Sequence, residues 1–132
     1  MIVDSSAIVA VLRGEHDART YHRALLEVEG GRMSAGNYVE TAVVIDGRRD
    51  PVLSRELDRY LSTMRVEVVA LTPGQARTAR AALRDFGRGS GHPAKLNLGD
   101  CFAYALAKDT GEPLLYKGDD FVHTDVIPAV PR

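Results

Sequence analysis

Four acidic positions carry the chemistry this sequence could perform: Asp4, Glu40, Asp100, and one of the pair Asp119-Asp120. Asp4 closes the apolar run Ile2-Val3, and Glu40 falls in the first turns of a helical stretch behind Arg32-Met33-Ser34-Ala35. Asp100 lies in the first turn of a helix opened by Asn97, and Asp119-Asp120 follow Pro113-Leu114-Leu115-Tyr116. If those runs are parallel strands, all four acids lie outside their carboxyl ends, the edge where α/β folds place their sites. Such a cluster is costly alone, because two unit charges about 4 Å apart repel by roughly 4 kcal/mol at an effective dielectric of 20. Several such pairs compare with the ~5–15 kcal/mol that holds a domain together. Either some of the carboxyls keep protons or a divalent cation sits among them. An all-oxygen donor set favours Mg²⁺ or Mn²⁺, and Mg²⁺ held by few carboxylates keeps waters and meets substrate phosphates. A metal-bound water can attack phosphorus while the ion steadies the leaving oxygen.

Each acid taken singly also has a structural account. Asp4 before Ser5-Ser6 could cap a helix, Glu40 could be a solvated helix residue, and Asp119-Asp120 could be a turn. Asp100, three residues after Asn97, could be half of a capping box. What argues for a site is that all four fall at one edge.

The elements that must position them follow from periodicity and punctuation. Ile2-Val3 reads as a buried strand, followed by a short helix stopped at Gly14. Residues 17–29 place Ala18, Tyr21, Ala24, Leu25 and Val28 at helical spacing, and Gly30-Gly31 end the helix. A short strand at 32–35 leads into helices over about 36–47 and 52–64. The stretch 66–71 is the clearest strand, rich in β-branched residues. Thr72-Pro73-Gly74-Gln75 has the cap, proline and glutamine of a helix start, and that helix runs to Phe86 with Ala76, Ala79, Leu83 and Phe86 on its apolar side. Residues 87–93 hold three glycines, a serine and a proline, and are expected to be a flexible loop. A helix from Asn97 to about Asp109, a strand at 113–116 and a short last strand within 125–130 complete the chain. Strands alternating with helices predict one α/β domain over 1–132, with a mainly parallel sheet.

Composition narrows the function classes. The 132 residues are 45% hydrophobic and 27% charged, which suits one globular core. Cys101 is the only cysteine, so an internal disulfide framework and a multi-cysteine zinc site are excluded, and a reducing cytoplasm is expected. No apolar run approaches the roughly 20 residues needed to span a bilayer, and no membrane role is expected. The start Met1-Ile2-Val3-Asp4 lacks the basic and apolar regions of a signal peptide and is expected to open directly on a strand. The net charge is −1, from 17 basic and 18 acidic residues. Setting the four site acids aside leaves 14 acids against 17 bases, a surplus of three that would help phosphate approach an acidic centre. Arg77, Arg80, Arg84 and Arg88 share a helix face by spacing, which is either a solvated face or a phosphate-binding stripe. Lys95, just before Asp100, is the best single candidate for an RNA phosphate contact, with Arg88 beside it. His16, His22, His92 and His123 show no metal-ligand spacing, and Tyr38, Cys101 and Tyr104 are expected to pack.

Four segments together resemble the PIN-domain family. They are Ile2-Val3-Asp4-Ser5-Ser6-Ala7, Ser34-Ala35-Gly36-Asn37-Tyr38-Val39-Glu40-Thr41, Leu96-Asn97-Leu98-Gly99-Asp100-Cys101-Phe102-Ala103-Tyr104-Ala105-Leu106-Ala107, and Pro113-Leu114-Leu115-Tyr116-Lys117-Gly118-Asp119-Asp120-Phe121. Their order and spacing are similar to the VapC-type toxins of bacterial toxin–antitoxin pairs, and the resemblance covers nearly the whole chain. It implies a PIN-like three-layer fold and acids around one or two Mg²⁺ or Mn²⁺ ions. It further implies ribonuclease activity on RNA such as tRNA, a homodimer, and inhibition by a VapB-type antitoxin. Carried over, Asp4 and Asp100 would be the main metal ligands, Glu40 would complete the set or act through water, and Ser6 would orient Asp4. Many members place the fourth acid two positions after a threonine, and aligning on Phe121 puts Gly118 there. The fourth acid is then Asp119 or Asp120, with Asp119 nearer to that place. An antitoxin would present a basic side chain to the acids and lie in a groove walled by Ile8, Val11, Leu12 and Tyr21.

Two other function classes compete. One is a catalytically silent PIN-like module that binds RNA or protein; the intact acid set argues against it, and a metal-dependent cleavage assay separates the two. The other is a phosphatase of the haloacid-dehalogenase kind, which wants a second Asp two residues after the first, where Ser6 stands.

Overall fold

The computed structural model describes residues 1–131. Four parallel strands form the sheet in the order β3-β2-β1-β4: β1 (Ile2–Val3), β2 (Gly31–Ser34), β3 (Val66–Val69) and β4 (Leu114–Leu115). Alternation along the two central strands sorts the core into two layers, because successive side chains of a strand point to opposite faces. Ile2 and Leu114 pack with Ala79, Ala82, Leu96 and Leu106, from α5 (Pro73–Phe86), α6 (Leu98–Thr110) and the loop between them. Val3 and Leu115 pack with Ile8, Leu25, Ile45 and Leu57, from α1 (Ser5–Leu12), α2 (Ala18–Glu27), α3 (Ala35–Asp46) and α4 (Pro51–Thr63). The result is the three-layer arrangement of an α/β fold. β1 lies between β2, which follows it through α1 and α2, and β4, which enters from α6 on the other face. This is the kind of strand-order reversal that opens a crevice at the carboxyl ends.

Three expectations shift. The last strand reduces to one parallel bridge, Leu114 to Pro128, with Leu114 N donating to Ile127 O and Ala129 N to Leu114 O. The buried face of α5 is Gln75, Ala79 and Ala82, while Ala76 and Leu83 are exposed. The face is rotated because the Gln75 side chain, instead of closing a capping box, turns inward and donates to Asp109 at 2.9 Å. Arg88 lies beyond the end of α5, so the basic stripe on that helix is Arg77, Arg80 and Arg84, and Arg84 is tied to Asp85 at 2.7 Å.

Candidate active site

Helix caps put the two innermost acids where they are. Asp4 leaves β1 in an extended conformation as the N-cap of α1, and its Oδ2 accepts from Ser6 N at 2.9 Å and Ser6 Oγ at 2.5 Å. Ser6 Oγ in turn accepts from the backbone N–H of Lys117 at 2.9 Å, which ties the end of β4 to the same carboxylate. Asp100 sits at the third position of α6 in a full capping box: its N–H donates to Asn97 Oδ1 at 2.9 Å, and its Oδ2 accepts from Asn97 N at 2.8 Å. The capping account of each of these two acids therefore holds. Each carboxylate uses Oδ2 to cap its helix. Asp4 Oδ1 keeps only a long 3.4 Å bond from Asn37 Nδ2, and Asp100 Oδ1 has no hydrogen bond among the described residues.

Both acids are buried, at 2% and 7% exposure, and burial is the main reason their proton affinities rise. Asp4 is pushed up to about 6 by desolvation, helped by the charge of Glu40 and opposed by the Ser6 bonds. Asp100 is pushed up to about 7 by desolvation, helped by the charges of Asp4, Asp120 and Glu40 and opposed by the Asn97 backbone bond. Rises of this size disfavour each charged form by roughly 3–4 kcal/mol, more than the ~1 kcal/mol a helix cap contributes. The cluster is thus a net cost to the fold, which is what a site awaiting positive charge looks like.

Glu40 reaches the cluster from α3. Its carboxylate lies on Gly99, where any β-carbon would overlap it. One turn earlier on the same helix, Asn37 is fully buried and holds the site together. Its Nδ2 donates to Gly99 O at 3.0 Å and Ser5 Oγ at 3.2 Å, while its main-chain oxygen accepts from Ser5 Oγ and Thr41 Oγ1. Residue types and spacing do not by themselves single out Asn37 or Gly99. The available signal for Asn37 is its i, i+3 spacing to Glu40, which puts both on one helix face. Nothing marks Gly99 beyond an unneeded glycine in a first turn.

The fourth acid is Asp119 or Asp120, which share one turn. Gly118 takes φ +92° and Phe121 is buried against Tyr116, with ring centroids 4.9 Å apart, so the turn between them is anchored at both ends. Asp119 is exposed and Asp120 half-buried. The charge of Asp120 is among those that raise the Asp100 pKa.

The expected antitoxin groove also changes. Ile8 is fully buried and Tyr21 is 8% exposed, donating to Asp17 at 3.0 Å, so neither offers an exposed wall; Val11 and Leu12 are half-buried. Lys95 and Arg88 are exposed on the loop that leads into α6. Tyr38 and Tyr104 place their hydroxyls on Asp58 and Asp125, and Cys101 is buried.

Among the described residues no three His, Cys, Asp or Glu side chains are placed to hold a metal ion together. The donor set still suits a hard cation. Mg²⁺ is usually held by one or two carboxylates with water completing its shell, and Asp4 and Asp100 each keep one oxygen for it. No described helix is long and apolar enough to cross a membrane.

A family model described as PIN domain matches residues 1–127. Ribonuclease VapC28 of Mycobacterium tuberculosis is 55% identical over 132 residues, covering 100% of this chain and 99% of the relative. Among solved structures, VapC20 of M. tuberculosis, described as a sarcin–ricin-loop-cleaving toxin, superposes with a TM-score of 0.75 at 17% identity, over 96% of this chain and 95% of that one. A toxin–antitoxin complex from Klebsiella pneumoniae gives a TM-score of 0.70 at 17% identity, over 98% and 97%.

Proposed function

The chain belongs to the PIN-domain family, and on that premise we propose that it is a Mg²⁺-dependent endoribonuclease toxin of the VapC type, cleaving cellular RNA such as tRNA. The observation that carries this is the pair Asp4 and Asp100: buried, each capping a helix with one oxygen, and raised in pKa by burial and by the charges of further acids. Asp4 and Asp100 would hold the ion, with Mn²⁺ a substitute for Mg²⁺, and Glu40 and Asp120 would complete its surroundings directly or through water. The bound ion supplies Lewis-acid polarisation of a phosphoryl oxygen and a water acidified for attack. Ser6 keeps the Asp4 carboxylate oriented through two donors, and the Asn97 N–H holds that of Asp100 through one. Asn37 fixes the spacing of α1, α3 and α6 around them. Arg88 and Lys95 would meet RNA phosphates outside the acidic centre.

The proposal extends to action in the cytoplasm, to a homodimer, and to a VapB-type antitoxin that places an Arg or Lys among the acids; a toxin–antitoxin complex among the structural neighbours supports the last of these. The test is cleavage of cellular RNA by the purified protein with Mg²⁺, with chelator, and with Mn²⁺ added back. Loss on chelation, recovery with Mn²⁺, and no activity in Asp4→Asn are expected. Full activity in chelator from protein free of contaminating nuclease overturns the metal mechanism.

A further inference from the structure

The loop between α5 and α6, expected to be flexible, is pinned. Gly87 bridges Leu96 in parallel, Arg88 N donates to Leu96 O at 3.1 Å, and Leu96 N donates to Phe86 O at 2.9 Å. His92 packs edge-on against Phe86 with centroids 4.8 Å apart, and its Nδ1 accepts from Ala94 N at 3.2 Å. That bond leaves the ring proton on Nε2, as a donor, when the ring is neutral. Ala94 and Leu96 are buried, and Lys95 between them takes φ +53°, a backbone conformation that lysine rarely adopts. Arg88 Nε donates to the Lys95 carbonyl at 3.3 Å, so the two cationic residues are held side by side.

These residues enclose a cleft of about 450 Å³, lined by Arg88, Gly89, Gly91, His92, Pro93 and Lys95. Gly89 and Gly91, at φ +86° and +85°, have no atom within 4 Å of where a β-carbon would stand, so the cleft has an open glycine wall. Neither Arg88 nor Lys95 joins an ion pair among the described residues, in contrast to Arg84. The cleft is also close to the acids. Two residue steps, at most ~7 Å, separate Lys95 from Asn97, whose N–H donates directly to Asp100.

We infer that this cleft is a subsite for one nucleotide of single-stranded RNA next to the scissile bond, its phosphate held by Arg88 and Lys95 and its base lying against His92 and Pro93. The volume is in the range of small-ligand sites. Guanidinium and ammonium groups are the usual phosphate partners, and flat rings such as histidine are common supports for unstacked bases. The acidic centre repels RNA until an ion is bound, so a neighbouring cationic seat is what would hold the strand in place. This inference rests on the ribonuclease reading above.

The test is fluorescence anisotropy of a labelled oligouridylate with the purified protein in chelator, across a series of salt concentrations. Three proteins are compared: the wild type, Arg88→Gln with Lys95→Asn, and Arg55→Gln with Arg59→Gln as a charge-matched control on α4. Asparagine accepts positive φ, so Lys95→Asn removes the charge without straining the loop. If circular dichroism shows that the double variant fails to fold, Lys95→Asn alone is used. Expected is a tenfold or larger loss of affinity in the loop variant, and a log–log salt slope shallower by about 0.7 for the one phosphate that both residues hold. The control should stay within twofold of the wild type. Wild-type binding by the loop variant, or an equal loss in the control, overturns the subsite. Cleavage assays separate this from the parent reading. A cleaving wild type whose loop variant keeps both KM and kcat sinks the subsite alone. Loop-dependent binding with no cleavage under any divalent ion sinks the ribonuclease and leaves a nucleotide-binding cleft.

Discussion

The carboxylate of Glu40 lies against the α-carbon of Gly99, closer than any β-carbon there would allow. Beside it, Asn37 donates to the Gly99 carbonyl at 3.0 Å. α3 and α6 therefore meet at a glycine that sits next to Asp100, and the approach of Glu40 to the other acids depends on its missing side chain.

Gly99→Ala should push the Glu40 carboxylate out of the cluster. The colliding atoms are the far end of a flexible, half-buried side chain, so the fold should lose little stability while cleavage falls at least tenfold. In a Glu40→Ala background the collision is gone, so adding Gly99→Ala there should cause little further loss of cleavage. Additive losses in that cycle would show that the two residues do not interact.

The fourth acid can be assigned by comparing Asp119→Asn with Asp120→Asn. Asp120 is half-buried and its charge helps raise the Asp100 pKa, so Asp120→Asn should lower that pKa and reduce cleavage by tenfold or more. Asp119→Asn should stay within about threefold of the wild type. A tenfold change corresponds to about 1.4 kcal/mol. The reverse ranking would restore Asp119 to the site.

What can be read from residue types alone follows from local rules. Asp4 and Asp100 are visible because a strand end and a helix start each announce themselves in sequence, and the same caps that announce them also aim their carboxylates. Other features depend on tertiary packing. Periodicity misplaces the α5 face because Gln75 counts as polar in any such pattern, yet its bond to Asp109 makes it buryable. Ile8 falls on the expected exposed wall because nothing in an eight-residue apolar helix says which side the sheet covers. Asn37 and Gly99 act through contacts between helices far apart in the chain, which no spacing rule reaches.

Without divalent ion, stability should fall as pH rises through the weakly acidic range. Burial first, then neighbouring charge, raises Asp4 to about 6 and Asp100 to about 7, from an ordinary value of 3.8. Between 3.8 and these values the native state keeps protons that the unfolded chain has lost, so each step up in pH favours unfolding. The contribution is fully present below the ordinary value and levels off above about pH 7. In between it falls by several kcal/mol in all, because each group loses about 1.4 kcal/mol for every pH unit between its unfolded and native pKa. Asp17 and Asp125 are lowered by hydrogen bonds from Lys117 and Lys108 and act in the opposite sense, at more acid pH and near solvent, where screening weakens them. Melting temperature in chelator should therefore drop between about pH 4.5 and about pH 7.5, and Asp100→Asn should flatten much of that drop. A wild-type melting temperature that rises across this window contradicts the assignment of two buried, raised carboxyls.

The same two acids make divalent-ion binding visible without any RNA. An ion that binds only the native state stabilises it by RT ln(1 + [L]/Kd), about 2.7 kcal/mol at a hundredfold excess over Kd. It also displaces the protons that burial retains on Asp4 and Asp100, so the stabilisation should grow from pH 6 to pH 8 as that competition fades. Asp4→Asn separates the two effects of this charge. Without ion the variant should melt at or above the wild-type temperature, because a buried charge has been replaced by a neutral group of the same shape that can still accept from Ser6. With Mg²⁺ or Mn²⁺ it should show little of the upward shift seen in the wild type. Calorimetric melting of both proteins, with ion and with chelator at two pH values, gives all the comparisons needed. An equal ion-induced shift in the variant would place the ion away from Asp4. A variant much less stable than the wild type in chelator would mean that the Asp4 charge supports the fold through its cap instead of burdening it.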